Sequence, residues 1–182
     1  MSDVVYIILT IILILILIIL VIYNKLIKLK NNVKKAKANI EIYLNKRFDL
    51  IPNIVECVKG YSNHENETLK DIVTLRNTYN EQKNINIKAA ENMNNSLNKL
   101  LAIVENYPEL KANANYMSLH NELRNIEDEL ENSRIRYNDI VTKYNTKVET
   151  IPSNLVASIF GFKKAELFKT ENNKKENVKV QL

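Results

Sequence analysis

The 182-residue chain has no tryptophan, two glycines, three prolines, one cysteine and two histidines. Each scarcity excludes something. Strand-rich folds need frequent turn residues at positive φ, which two glycines cannot supply. A glycine-rich phosphate cradle is excluded on the same count. Cys57 has no second cysteine for an internal disulfide, which fits a reducing compartment. Lacking a motif partner and lying beside Val58, it reads as a packed or half-exposed thiol rather than a nucleophile. His64 and His120 lie far apart with no His or Cys at ligand spacing, so they read as solvated helix-surface side chains, and neither a metal nor a cofactor is expected. No residue set reads as catalytic, and the chain is not expected to be an enzyme.

What the chain has in abundance is apolar length. Residues 4–23 (VVYIILTIILILILIILVIY) carry no charge, and ~20 residues at ~1.5 Å each cross a hydrocarbon core of ~30 Å. At roughly −0.5 kcal/mol per Ile or Leu, the run favours insertion by on the order of −8 kcal/mol. Ser2 and Asp3 precede it and no small-x-small site follows, so it is predicted to be a retained anchor and not a cleaved signal. No Lys or Arg comes before the run, whereas Lys25, Lys28, Lys30, Lys34, Lys35 and Lys37 follow it directly. That asymmetry predicts a single-pass protein of the cell membrane with its N-terminus outside and the remainder cytoplasmic. The net charge is +5, and the basic cluster beside the anchor points to the lipid bilayer as a partner, not nucleic acid. Lys25, Lys28, Lys30 and Lys34 are candidate membrane contacts, each contributing ~1 kcal/mol of attraction to anionic headgroups. The alternative is that they only set topology.

Beyond the anchor, Val33, Ala36, Ile40, Leu44, Phe48, Ile51, Val55 and Val58 recur at spacings of three and four, the seam of a helix packed on other helices. Pro52 falls inside this seam without changing its phase, which predicts either a kink or a new helix in line with the first and capped by Asp49. Gly60 is the predicted break. A second seam runs from Leu69 through Ile72 and Leu75 to Tyr79, and a third from Ala90 through Met93, Leu97, either Leu100 or Leu101, and Val104 to Tyr107, with residues 80–86 as the loop between them. A phase slip at Tyr107-Pro108 marks a helix boundary. The fourth seam (Ala112, Tyr116, Leu119, Leu123, Ile126, Leu130, Tyr137, Ile140, Tyr144, Val148, Ile151) is the longest and has coiled-coil regularity, ending before Pro152. Ser153 is a candidate N-cap for the segment that follows, and residues 169–182 form a polar tail too poor in apolar side chains to order itself.

Arg76 and Arg134 each lie between apolar seam residues, on the packed side of their helices, and so require acidic partners. Asp49, Glu56, Glu127 and Glu131 are the candidates. Structural pairs that fix helix register are the preferred reading over a ligand site. Residues 155–168, with Phe160 and Phe162, have two readings. They fold over the end of the bundle as a core cap, or they dip into the membrane interface with Lys163 and Lys164 at headgroup level.

Four stretches together resemble the LemA family of small bacterial membrane proteins: Tyr23-Asn24 after the anchor; KRFDLIPNIVECVKGYSNHENETL from Lys46, with Arg76 beyond it; YPELKAN from Tyr107; and RYNDIVTKYNTKVETIPSNLVASIFGFKKAELF from Arg136. They occur in the family's order across nearly the whole chain. Lys46-Arg47 stands where members usually carry two arginines, and no tryptophan stands in the first soluble helix, where members often carry an aromatic. The resemblance implies a transmembrane segment followed by a long antiparallel bundle, and it implies no activity and no assigned site.

The expected architecture is therefore all-α: an anchor over residues 1–24, a bundle of about four helices over 25–168, and the tail. The expected function is a non-catalytic, membrane-anchored scaffold or adaptor that binds a protein partner and is open to self-association through its seams. The alternative is a lipid-sensing or membrane-remodelling protein that uses the juxtamembrane lysines and the C-terminal apolar segment.

Overall fold

A computed structural model describes residues 2–60, Thr74 and 87–168. The chain is all-α, with one long apolar N-terminal helix followed by further helices. The described helices are α1 (Ser2–Lys59), α2 (Ile87–Glu105), α3 (Pro108–Lys111), α4 (Ala114–Glu149) and α5 (Ser153–Ile159). The second predicted seam, the loop at 80–86, Arg76, His64 and the tail lie outside the described residues, apart from helical Thr74.

Helix α1 runs through the apolar run, the lysine cluster and the first predicted seam without a break, and it stops where Gly60 was predicted to stop it. At 58 residues it, and not the fourth-seam helix, is the longest helix in the described residues. Pro52 sits inside it. A proline cannot donate to the carbonyl one turn back, yet Ile51, Ile54, Val55 and Val58 around it are all buried, and their packing holds the helical phase. Asp49 is thus an exposed mid-helix residue and does not cap a second helix. The buried seam of α1 also contains Arg47 and Ile54, which apolar spacing alone assigned to neighbouring Phe48 and Val55.

Tyr107-Pro108 is a boundary, as the phase slip indicates, with Pro108 opening α3 where its missing N–H costs nothing. Helix α4 starts two residues later than the Ala112 seam position, because Asn113 caps it: its Oδ1 accepts from the N–H groups of Asn115 (2.9 Å) and Tyr116 (3.2 Å). Along α4 the seam closes over Tyr116, Leu123, Ile126, Leu130, Ser133, Tyr137, Val141 and Tyr144. Ser133 and Val141 take the places that sequence spacing gave to Arg134 and Ile140.

Ser153 does not cap α5. Its buried hydroxyl donates backward to the carbonyls of Lys147 (2.7 Å), in the last turn of α4, and Thr150 (2.9 Å), just past its end. The side chain that looked like a start signal is a stop device for the previous helix.

The chain divides into two compact units, one of Met1–Lys37 with Arg134–Leu182 and one of Ala38–Ser133. Inside the second, Arg47 of α1 is fully buried and its Nη1 donates to Glu127 Oε1 of α4 at 3.0 Å. Its guanidinium also lies 5.5 Å from the centre of the Phe48 ring. A buried guanidinium that loses its carboxylate carries a heavy desolvation cost, whereas replacing the charge itself by an apolar side chain does not. Glu127→Ala is therefore expected to destabilise the protein by about 2–3 kcal/mol, more than Arg47→Met. Denaturant melts of the two variants in one detergent check the order.

Candidate functional site at the end of the apolar span

The first unit gathers most of the terminal segment of the chain around the point where the apolar run of α1 ends. Ile22 and Leu26 of α1, Tyr144 of α4, Val156 and Ala157 of α5, and Phe162 form one buried cluster, with Tyr23, Ile27, Leu29, Val33, Val148 and Ala165 packed against it. The Tyr23 ring lies 4.8 Å from that of Phe160 and 5.8 Å, edge-on, from that of Phe162. The Lys30 ammonium stands 5.6 Å from the centre of the Phe162 ring.

Gly161 makes this arrangement accessible to the backbone. Its φ is +70°, and on either side Phe162 N–H donates to Ala157 O (2.8 Å) and Gly161 N–H to Ser158 O (3.3 Å), the paired bonds that close a helix on a left-handed residue. The turn ends α5 and sends Phe162 into the cluster.

From Phe162 to Phe168 the chain is non-helical and tied to α4 by a repeating set of bonds. Asn145 uses both ends of its amide on one residue, Nδ2 donating to Ala165 O and Oδ1 accepting from Ala165 N–H, each at 2.9 Å. Asn138 does the same to Phe168, at 3.0 and 2.8 Å. The hydroxyls of Tyr144 and Tyr137 donate to the carbonyls of Lys163 and Glu166, both at 2.9 Å. The same Tyr-Asn pair thus recurs one heptad apart on α4 and meets residues three apart on the strap. Seven helical residues rise ~10.5 Å and three extended ones ~10 Å, so the two periods stay in step. The Phe168 ring closes the strap, edge-on to Tyr137 at 6.4 Å and with the Arg134 guanidinium 5.0 Å from its centre. Lys164 and Glu149 form an ion pair beside it.

Burial raises the Tyr137 and Tyr144 hydroxyls above their ordinary value of 10.0, and the nearby Glu166 carboxylate raises Tyr137 further. Both effects keep the phenols protonated, the state in which they donate to the strap.

The geometry packs the terminal segment onto the end of the apolar span and ties it to α4. The LemA family model matches residues 36–182, which takes in α4, α5 and the strap. The chain belongs to the LemA family. It is 28% identical over 137 residues to Protein LemA of Metamycoplasma hominis, covering 74% of this chain and 63% of that protein. It is 36% identical over 74 residues to Magnetosome protein MamQ 2 of Paramagnetospirillum magneticum, covering 41% of this chain and 27% of that one. Against Magnetosome protein MamQ of Magnetospirillum gryphiswaldense it is 22% identical over 174 residues, covering 80% of this chain and 64% of the relative. The chain therefore spans less than two thirds of the length of each of these relatives.

In this LemA-family chain, Lys30, Phe160 and Phe162 come together at the cluster, while Lys25, Lys28 and Lys34 are exposed on α1. Phe162 is buried and Phe160 is half exposed, so the two candidate membrane contacts face different surroundings. Of the charged candidates, Arg134 is half-buried under Phe168 and Glu56 lies 3.9 Å from Lys59 on the surface. Glu127 meets Arg47, which the sequence reading passed over. It also passed over Asn138 and Asn145, although the repeated Tyr-Asn dipeptide was the signal that could have found them. His120 is partly buried and stacks on Tyr116 at 5.8 Å rather than standing free in solvent, and Cys57 is half-buried as expected.

Each Asn amide that is lost leaves a strap N–H and C=O without their partner. Asn145→Ala is expected to cost about 1–2 kcal/mol and to remove exchange protection from the Ala165 amide, read by hydrogen exchange. Because the folded-state pKa of each tyrosine is raised, its contribution is complete below pH 10 and is lost as pH rises from there through the folded value. Alkaline melts should therefore fall off above about pH 10, and the Tyr137→Phe/Tyr144→Phe variant should show a shallower alkaline limb.

Proposed function

We propose that this LemA-family protein is a membrane-anchored, non-catalytic scaffold or adaptor. Its N-terminus lies outside and its helical domain, residues 25–168, is cytoplasmic and binds another membrane or cytosolic protein. The membrane association itself rests on α1, whose apolar run is long enough to cross a bilayer, and on the family. The observation that carries the scaffold reading is that α1 passes from the apolar run into the packed seam of the second unit with no non-helical residue between them. The stretch that joins the span to the seam is thus helical and not a flexible linker. The positive charge that follows the run supports the orientation. The relatives bear the names of a family and of a magnetosome protein, and none names a reaction.

The test is proximity labelling in intact cells from a C-terminal tag, with a membrane-impermeant reagent run in parallel. The tag is expected to be shielded, and a stoichiometric protein partner is expected to stay bound in mild detergent. A tag reached from outside reverses the topology, and a chain that purifies alone, with neighbours common to any membrane protein, removes the scaffold reading.

A further inference from the structure

The corner where α4 gives way to α5 exposes large apolar side chains to a degree that water does not favour. Ile151 is 83% exposed, Ile159 76%, Leu155 62% and Phe160 52%. Leu155 and Ile159 are one turn apart on α5, while Val156 and Ala157 face the other way into the buried cluster, so the helix is apolar on both its inner and its outer side. Large apolar side chains exposed so close together along the chain mark a contact with something.

Its position in the first unit says with what. Side chains from Val4 to Val21 on α1 are exposed and apolar apart from Thr10, whose hydroxyl bonds to the Tyr6 carbonyl. The protein begins to cover the helix at Ile22, and Lys25 is the first charge after the run. If the run fills the hydrocarbon core, Tyr23 lies at its boundary. Phe160 packs at a tilt against that Tyr23, with ring centres 4.8 Å apart. Helix α5 has seven residues, so the whole of it lies within ~10 Å of the same level. Lys25 and Lys28, within two turns of Ile22 on α1, and Lys163, two residues past the Gly161 turn, are exposed. Lys164 is already paired with Glu149.

We propose that α5 is an interfacial helix, in which Ile151, Leu155, Ile159 and Phe160 enter the headgroup and upper acyl region of the same bilayer that α1 crosses. The buried face of α5 caps the cluster and the exposed face meets lipid, so the terminal segment performs both of the roles its sequence allowed. The strap then becomes the link that transmits this contact to α4, since the Gly161 turn joins α5 directly to the residues held by Asn145 and Asn138. The inference stands apart from the scaffold reading, because a chain with no protein partner still makes this contact.

The test uses the full chain with Cys57→Ser, reconstituted into vesicles of phosphatidylcholine and phosphatidylglycerol. A fluorophore is placed at Leu155→Cys, at Ile159→Cys or, as an exposed reference on α4, at Asp139→Cys. All three positions are on the surface, and a melt of each labelled protein verifies the fold. Labels at 155 and 159 are expected to be quenched about threefold more than the label at 139 by a quencher carried on shallow lipid positions, and correspondingly less by iodide. Equal iodide quenching at all three sites overturns the proposal, because the face is then in water. Shielding of 155 and 159 from both quenchers also overturns it, because a second copy of the chain then covers the face.

Discussion

An α-helix advances in seven residues almost as far as an extended chain advances in three, and the first unit is built on that near-equality. Because the two rises match, one dipeptide repeated at heptad spacing can read the backbone of a strap twice in register. Asn138 and Asn145 each satisfy a whole peptide residue, as a neighbouring β-strand would, and Tyr137 and Tyr144 each satisfy one more carbonyl. A strap without strand partners would otherwise leave these groups to water or bury them unpaired. Its ordered course places Phe162 over Ile22 and Leu26, and Phe168 over Arg134. The end of the apolar span is sealed as a result.

The second unit solves a different problem. Among the described residues its seams are apolar except at Ser133 and at Arg47, a fully buried charge met by Glu127 from another helix. A pair of this kind adds little net stability, because desolvation offsets most of the attraction, but it penalises any helix register that leaves the guanidinium unmatched. Apolar seams with three-and-four spacing tolerate sliding by a heptad, and one charge in the seam removes that freedom. Arg76, to which sequence reasoning gave a register role together with Arg134, lies outside the described residues, and the interhelical ion pair described in this unit joins Arg47 to Glu127.

Much of the architecture was legible from apolar spacing. The long apolar N-terminal helix, the break at Gly60, the boundary at Tyr107-Pro108 and the long seam of α4 all follow from composition and period, since solvent or lipid decides which side chains must be hidden. The errors cluster at residues whose role depends on what lies across from them. Ser153 has the composition of an N-cap but serves the preceding helix, because its hydroxyl donates back to the carbonyls of Lys147 and Thr150. Asp49 had the composition of a cap, but neighbouring burial carries α1 through Pro52 and leaves the aspartate exposed.

The candidate site divides the same way. By itself the sequence determined the all-α class, the length of the apolar span, the placement of positive charge after it and the LemA resemblance, because these depend on residue type and period along one chain. Only the tertiary structure decided that Tyr-Asn repeats hold a strap, that Phe162 turns inward while Phe160 stays exposed, and that Glu127 belongs to Arg47. Hydrogen-bond partners and ion pairs are chosen by proximity in space, and linear spacing carries no record of which strand or helix will come to lie opposite.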